Sequence, residues 1–276
     1  MLKTSEYGIR VDNYVTVKKY GDDLFKFVLH KQPVRLAGFE EIGDKKEPKI
    51  IVDTADKRGC NLARARSTVF ELAYCNKWDY FFTGTLAPAN GDRTNLDAFH
   101  KGVAQFIRDE RKRTGCDIKY LLVPELHADL KSWHEHGAFA NLPEESLYRF
   151  VEGDVMGKHI ADKVLAGEEV YKWPRYEHKF GWCDLEPIKT HEGLSKYLTK
   201  YISKSIVGDD SRSVKELDKH LYYCSQGLKR AETIKKGILT EPIASTHWEF
   251  ENDYIATFST RDIGMFKYLE DIISPL

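Results

Sequence analysis

The segment Lys196–Lys204 (KYLTKYISK) contains two interleaved pairs of side chains at a spacing of four residues. Residues i and i+4 lie on one face of an α-helix, so this spacing predicts a helix with two distinct stripes. Tyr197 and Tyr201 form one stripe, and Leu198 and Ile202 form the other. One stripe must face the core. If the aliphatic stripe packs, the two phenols lie at its edge and face a neighbouring sheet.

Each tyrosine is followed three residues later by a lysine, Lys200 or Lys204. A phenol can act as a covalent nucleophile when its phenolate is stabilised, and its ordinary pKa near 10 means that a cation or a metal ion must assist. The two lysines can supply this charge or hold a phosphate group. Spacing alone leaves the alternative open that Tyr197 and Tyr201 only pack in the core.

A second candidate site is the His-x-His of the segment Trp133–Gly137 (WHEHG). Residues i and i+2 of a strand share a face, so His134 and His136 would present two imidazoles side by side. Glu125 ends the preceding predicted strand, and a hairpin would place its carboxylate beside them. Two imidazoles and one carboxylate suit Mn²⁺ or Mg²⁺ with open positions for phosphate oxygens. His127 is a rival ligand, and Glu125 can equally be a solvated carboxylate of a turn.

Candidate DNA contacts come from one strand and from one basic region. Thr83 and Thr85 alternate onto one face of the segment Phe81–Leu86, where their hydroxyls can reach phosphate or sugar, although a half-buried strand has the same pattern. The net charge is only −1, which argues against a generally basic nucleic-acid-binding protein. Residues 189–236, however, carry eleven Lys and Arg against six Asp and Glu. Within this region we select Lys196, Lys229 and Arg230.

Composition narrows the class of protein. The 276 residues, 42% of them hydrophobic, allow one large domain or one domain with extensions. The five cysteines include no CxxC pair, which favours a reducing compartment over disulfides or a cysteine zinc site. Neither a signal peptide nor an apolar run of about 20 residues is found, so we expect a cytoplasmic protein without membrane contact. The absence of a GxxxxGK[ST] motif argues against a nucleotide cofactor.

The hydrophobic pattern mixes strands and helices without strict alternation, which predicts an α+β fold around a central antiparallel sheet. Predicted strands cover Tyr14–Val17, Leu24–Leu29, Tyr80–Leu86, Ile118–Val123, His134–Ala140, Tyr222–Leu228 and Trp248–Phe258. Predicted helices cover Asn61–Asn76, Leu96–Arg113, Pro143–Ala166 and His191–Ile206, and a hairpin is predicted over Val170–Ile188.

Taken together and in this order, three motifs resemble the rolling-circle replication initiators of the HUH endonuclease superfamily. Phe82–Thr85 is similar to the Phe-Thr-x-Thr strand, His134–His136 to His-hydrophobic-His, and Tyr197–Lys204 to a doubled Tyr-x-x-Lys. Glu135 departs from the pattern, since the family has an apolar residue between the histidines. The doubled tyrosine motif resembles two-tyrosine initiators of small bacterial phages and plasmids. Further similarity lies in Val123–His127, Phe180–Cys183 and Ser225–Lys229, so the resemblance spans roughly residues 60–230.

The resemblance implies a ferredoxin- or RRM-like sheet, with an endonuclease domain over residues 57–236 flanked by extensions at 1–56 and 237–276. It implies Glu125, His134 and His136 as ligands of Mn²⁺ or Mg²⁺. Tyr197 and Tyr201 would nick and join single-stranded origin DNA through a 5′-phosphotyrosine, assisted by Lys200 and Lys204. The implied partners, besides origin DNA, are a host helicase and DNA polymerase in a bacterial cytoplasm. The order in which the tyrosines act stays open.

Three alternatives remain at this point. A relaxase or a single-strand transposase of the same superfamily would share the chemistry, although relaxases usually place the nucleophile ahead of the histidines. A non-catalytic protein that binds origin or other single-stranded DNA would use the basic segments and aromatic side chains. A metal-dependent phosphohydrolase would keep the tyrosines as structural residues and would never become linked to DNA.

Overall fold

The computed structural model describes residues 3–5, 8–36, 54–127, 129, 131–203, 220–243, 248–251 and 253–276. Their helices are α1 Thr54–Cys75, α2 Leu96–Thr114, α3 Lys158–Leu165, α4 Pro174–Lys179, α5 His191–Ser203 and α6 Ile263–Asp271, with a 3₁₀ turn at Glu144–Ser146. Their strands are β1 Lys3–Ser5, β2 Gly8–Val11, β3 Tyr14–Tyr20, β4 Leu24–His30, β5 Val34–Leu36, β6 Tyr80–Thr85, β7 Lys119–Leu126, β8 Trp133–Ala140, β9 Tyr148–Arg149, β10 Tyr171–Lys172, β11 Cys183–Pro187, β12 Tyr223–Cys224, β13 Glu232–Leu239, β14 Phe250–Glu251, β15 Ile255–Thr260 and β16 Ile273–Ser274.

The chain divides into two compact units. One unit is Val52–Lys229, and the other combines Met1–Ile51 with Arg230–Leu276. Most of the two segments that we expected as separate extensions therefore belongs to one unit. The predicted endonuclease domain, residues 57–236, falls in the other unit except for residues 230–236.

The unit built from both ends of the chain contains a six-stranded antiparallel sheet in the order β14-β15-β4-β3-β13-β16 and a small sheet in the order β1-β2-β5. Apolar side chains of β3, β4 and β15 pack with those of α6, including Val17, Phe27, Phe258 and Leu269. The strands predicted near residues 14 and 24 are confirmed. Within the six-stranded sheet, β3 pairs with β13 and β4 pairs with β15.

The unit Val52–Lys229 is built on a seven-stranded antiparallel sheet in the order β12-β7-β8-β6-β11-β10-β9. Strand β8, which carries the His-x-His, lies inside the sheet between β7 and β6. Side chains of α1 and α5 pack on one face with Leu121, Val123 and Ala138. Side chains of α2 and α4 pack on the other face with Phe82, Leu122 and Phe139. The sheet is therefore covered by helices on both sides.

The described residues confirm the α+β class and the antiparallel sheet, while the ferredoxin- or RRM-like arrangement stays a prediction. The helix predicted over Pro143–Ala166 is wrong: only α3 is α-helical there, after the 3₁₀ turn and β9. Gly153 takes a positive φ of 96° in this stretch and interrupts the helical periodicity. The predicted hairpin is confirmed as the antiparallel pair β10 and β11, but α4 lies between them. No described helix combines the length and the apolar character needed to cross a bilayer.

Replacing Gly137 by alanine should lower the free energy of unfolding by about 3 kcal/mol, the upper part of the range for overpacked interiors. A Cβ atom there would lie 2.1 Å from the backbone oxygen of Leu121 and 2.6 Å from Leu122 Cδ2, so the β7–β8 pairing itself would have to move. Urea denaturation of wild type and of Gly137→Ala measures the change in the free energy of unfolding. Gly157→Ala is the matched control because a Cβ at that position meets nothing within 4 Å. Equal stability of the two variants would contradict the prediction.

Candidate active site

Antiparallel pairing of β7 and β8 places Glu125 directly opposite His134, while Val123 lies opposite His136. Glu125 Oε2 lies 3.1 Å from His134 Nε2 and 3.0 Å from His136 Nε2. The two Nε2 atoms are 3.3 Å apart. Side-chain alternation along both strands aims all three groups to the face that also carries α5. We call Glu125, His134 and His136 the carboxylate–imidazole group.

The carboxylate–imidazole group can hold a metal ion. One donor atom from each of its residues lies within 4.8 Å of the others, and Glu125 and His136 are buried. Thr83 lies opposite His136 on β6, with its Oγ1 3.3 Å from His136 Nδ1. When Nδ1–H donates to this hydroxyl, the Nε2 lone pair is left for a metal, which is how metal-binding histidines are usually oriented. The donor set and its hydrogen-bonded neighbour both fit a divalent cation.

Helix α5 brings two tyrosines to the same group. The aliphatic stripe packs as expected, since Leu198 and Ile202 lie in the core with α1 and the sheet. The Tyr201 ring stacks on the His136 ring with 4.2 Å between centroids and 12° between planes. Tyr201 donates its hydroxyl hydrogen to the Tyr197 oxygen at 2.5 Å. The two phenols, called the tyrosine pair, thus meet beside the carboxylate–imidazole group.

The two phenols differ in exposure. Tyr201 is 6% exposed, whereas Tyr197 is 43% exposed and rests edge-on against Phe81 at 4.9 Å. Burial raises the pKa of Tyr201 well above its usual value, and its hydrogen bond to Tyr197 adds to the rise. Tyr201 is therefore held as a neutral donor, and the acceptor is the oxygen of the more exposed phenol, Tyr197.

Of the other predicted site residues that the structure describes, only Thr85 is paired across strands with a member of the carboxylate–imidazole group. Thr85 lies opposite His134 but donates to the Trp182 carbonyl at 3.0 Å. Lys196 and Lys200 lie exposed on α5, and Lys196 pairs with Glu192 at 2.6 Å. Lys204 lies outside the described residues. Lys229 is exposed, and its backbone carbonyl and N–H bond the side-chain amide of Asn76, the residue that follows α1. Arg230 is exposed and belongs to the other unit.

A side cleft of about 790 Å³ opens next to the tyrosine pair. Its lining includes Phe81, Thr83, His136, Asp184, Leu194 and Tyr197. The volume lies within the range usual for small-molecule sites, so a nucleotide-sized group fits. Two lysines of the lining are already neutralised, Lys163 by Glu186 and Lys189 by Glu168.

Sequence analysis missed Asp184, which lies in β11 directly opposite Thr83. Asp184 is 8% exposed, and burial, followed by the charge of Glu186, raises its pKa from 3.8 to about 6. No spacing signal connects Asp184 to Thr83, because the pairing joins strands about a hundred residues apart. Asp184 therefore adds an acidic group to the side cleft that only the fold reveals.

Asp184→Asn should flatten the dependence of stability on pH between about pH 4 and pH 6. Because the folded-state pKa is raised, the unfolded chain ionises first, and the stability that neutral Asp184 contributes is lost as pH rises through about 6. The two pKa values differ by about two, which corresponds to about 3 kcal/mol. Urea denaturation at half-unit pH steps without metal measures the profile. Asp117→Asn removes an exposed carboxylate as the control, and a variant profile as steep as that of wild type would contradict the prediction.

Glu135, the departure from the family pattern, points to the opposite face of β8. It is fully buried there, and its Oε1 lies 2.8 Å from His100 Nδ1 on α2. The Tyr223 ring stacks on His100 with 3.4 Å between centroids. Glu135 is thus accommodated by a buried hydrogen bond with His100 on the other face of the sheet, and it does not disturb the orientation of His134 and His136.

No protein-family model, curated protein or solved structure matches the chain.

Proposed function

We propose that this chain is a rolling-circle replication initiator of the two-tyrosine HUH type, which nicks and joins single-stranded origin DNA. One observation carries the proposal: the tyrosine pair lies against the carboxylate–imidazole group, with Tyr201 stacked on His136 and its hydroxyl 2.5 Å from that of Tyr197. A structural role would need the phenols only as core packing, yet Tyr197 is 43% exposed at a cleft.

In the proposed reaction a phenolic oxygen forms a bond to phosphorus and the bond from phosphorus to the 3′ oxygen breaks. The phenolic proton ends on the 3′ oxygen, which leaves a free 3′-OH for a host polymerase and a 5′-phosphotyrosine on the protein. Glu125, His134 and His136 would hold Mn²⁺ or Mg²⁺, which polarises the scissile phosphate when bound. Tyr201 donates a hydrogen bond to the Tyr197 oxygen and so stabilises a phenolate there.

Two phenols beside one cation site suit repeated strand transfer. Because both hydroxyls meet at one point, either oxygen can attack a phosphate held against His134 and His136. The second tyrosine would cleave the regenerated origin while the first still carries the displaced strand. A host helicase would supply the single-stranded template, in a bacterial cytoplasm. A relaxase or transposase would use the same site, and the choice between these biological roles rests on the motif order and the doubled tyrosines.

The test is an adduct assay on denaturing gels, with full-length protein, Mn²⁺ and single strands tiled across DNA that flanks the gene. A strand labelled at its 3′ end should shift to a protein adduct, whereas a 5′ label should appear on a shorter, protein-free product. Chelation of the metal and the double substitution Tyr197→Phe, Tyr201→Phe should both remove the adduct. DNA binding without any adduct would reject the endonuclease and favour a non-catalytic single-strand-binding protein.

A further inference from the structure

The side cleft lies on one side of the carboxylate–imidazole group, and a second border lies on the side of His134. Beyond the end of β7, the His127 N–H donates to the Ser132 carbonyl at 2.8 Å, which extends the pairing of β7 and β8 by one step. His127 therefore shares the face of Glu125, and its ring lies 4.2 Å from the His134 ring. His127 Nε2 is shielded from solvent and has no hydrogen-bond partner among the described residues.

Arg93 approaches the same border from the loop between β6 and α2. Its carbonyl accepts the Trp133 N–H at 2.9 Å, and Trp133 lies opposite Leu126, the neighbour of His127. Arg93 Nε is likewise shielded from solvent without an acceptor, and no carboxylate lies within ion-pair distance of Arg93 in the described part of the chain. Trp133 is also the chain neighbour of His134, so Arg93 and His127 lie on the same side of the carboxylate–imidazole group.

Two shielded polar nitrogens without a hydrogen-bond partner, at the edge of a cation site, are costly unless something binds them. An arginine stays charged at every physiological pH, and its planar fork matches the oxygens of a phosphate group. Asp129 also lies near His127, but its carboxylate already accepts hydrogen bonds from the Lys131 and Ser132 N–H groups and from the Ser132 hydroxyl. Asp129 is therefore engaged elsewhere, and no described residue supplies a partner to Arg93 Nε or His127 Nε2.

We propose that Arg93 and His127 bind a phosphodiester group of single-stranded DNA on the His134 side of the carboxylate–imidazole group. This inference rests on the proposed function and names an interaction that none of the three motifs contains. The strand would pass from the side cleft, across the tyrosine pair, to Arg93. The lysines Lys163 and Lys189 of the cleft are paired with carboxylates, whereas no ion pair of Arg93 is found among the described residues.

The test measures binding of a mixed-sequence single-stranded 25-mer by fluorescence anisotropy at several salt concentrations. All proteins carry Tyr197→Phe and Tyr201→Phe so that no covalent product forms. Arg93→Gln should weaken binding about tenfold at low salt, as expected when a hydrogen bond to a charged group is removed. It should also reduce the slope of log K against log salt by about 0.7 for each phosphate that the protein no longer neutralises. Arg93→Lys should restore the slope and only part of the affinity, because a point charge replaces the fork.

Arg108→Gln is the matched control, since Arg108 is an exposed arginine that bonds the neutral Gln105 and lies on α2, which packs on the other face of the sheet. His127→Gln should weaken binding without changing the slope. Affinity and slope of Arg93→Gln equal to those of the parent would overturn the proposal and would mean that water satisfies both nitrogens. The adduct assay separates the two proposals: a weakened Arg93→Gln without any wild-type adduct keeps the phosphate site and rejects the endonuclease, and an adduct with an unaffected Arg93→Gln does the reverse.

Discussion

Tyr197→Phe should remove the protein–DNA adduct of the first cleavage, whereas Tyr201→Phe should slow its formation about tenfold to a hundredfold. Tyr197 is the exposed phenol and its oxygen accepts the hydrogen bond, so it can meet a phosphate and carry the negative charge. Tyr201 is buried, and burial raises its pKa, so it starts as the donor. A hydrogen bond to a charged group contributes about 1.5–3 kcal/mol, which sets the expected decrease in rate for Tyr201→Phe.

Single-turnover adduct formation under Mn²⁺ saturation measures both rates. Tyr148→Phe is the control, because Tyr148 is 41% exposed on β9 and its hydroxyl bonds only Asp154 among the described residues. A second labelled strand, added once the first adduct has formed, reports the second cleavage. Tyr201→Phe should fail in this second step even where the first goes to completion. If Tyr201→Phe instead abolishes the first adduct and Tyr197→Phe only slows it, the order of attack is the reverse of the one inferred from exposure.

Local patterns predicted the parts of the site that are close in sequence. Helix α2 was predicted over Leu96–Arg113 and ends at Thr114, where Gly115 caps it with a φ of 71°. Strands β7 and β8 are joined by a short turn, so their hairpin register follows from neighbouring residues and brings Glu125 to His134. The aliphatic stripe of α5 likewise determined which face packs. Periodicity and short turns are enough for such contacts.

Residues brought together from distant segments were not predictable in the same way. Asp184 joins the site through pairing of β11 with β6, and Arg93 through a single backbone bond to Trp133. Strand β13 pairs with β3, which lies near the opposite end of the sequence, and no local sequence pattern predicts that pairing. Glu135, which departs from the motif, is accommodated because its buried carboxylate bonds His100 on helix α2. In each case the partner is chosen by tertiary packing, which overrides local propensity.

Glu125→Ala and His134→Ala should each lower Mn²⁺ affinity more than a hundredfold and the rate of adduct formation about a thousandfold or more. Substitutions next to a metal ligand already cost 10–100-fold in affinity, so removal of one of three ligands costs more. A bound cation contributes several kcal/mol of charge stabilisation to phosphoryl chemistry, which sets the expected decrease in rate. Calorimetric Mn²⁺ titration and single-turnover adduct formation measure the two quantities separately.

Thr83→Val provides a graded comparison, because it keeps all three ligands and removes only the hydroxyl at 3.3 Å from His136 Nδ1. It should weaken Mn²⁺ binding by about 10–100-fold and leave the maximal rate at saturating Mn²⁺ within a few-fold of wild type. His178→Ala, which replaces an exposed histidine on α4, should change neither quantity.

Wild type should also gain thermal stability with rising Mn²⁺, since a ligand that binds only the folded state raises Tm, and Glu125→Ala should not. Retained Mn²⁺ saturation and adduct formation in both ligand variants would show that the carboxylate–imidazole group is a structural hydrogen-bond cluster.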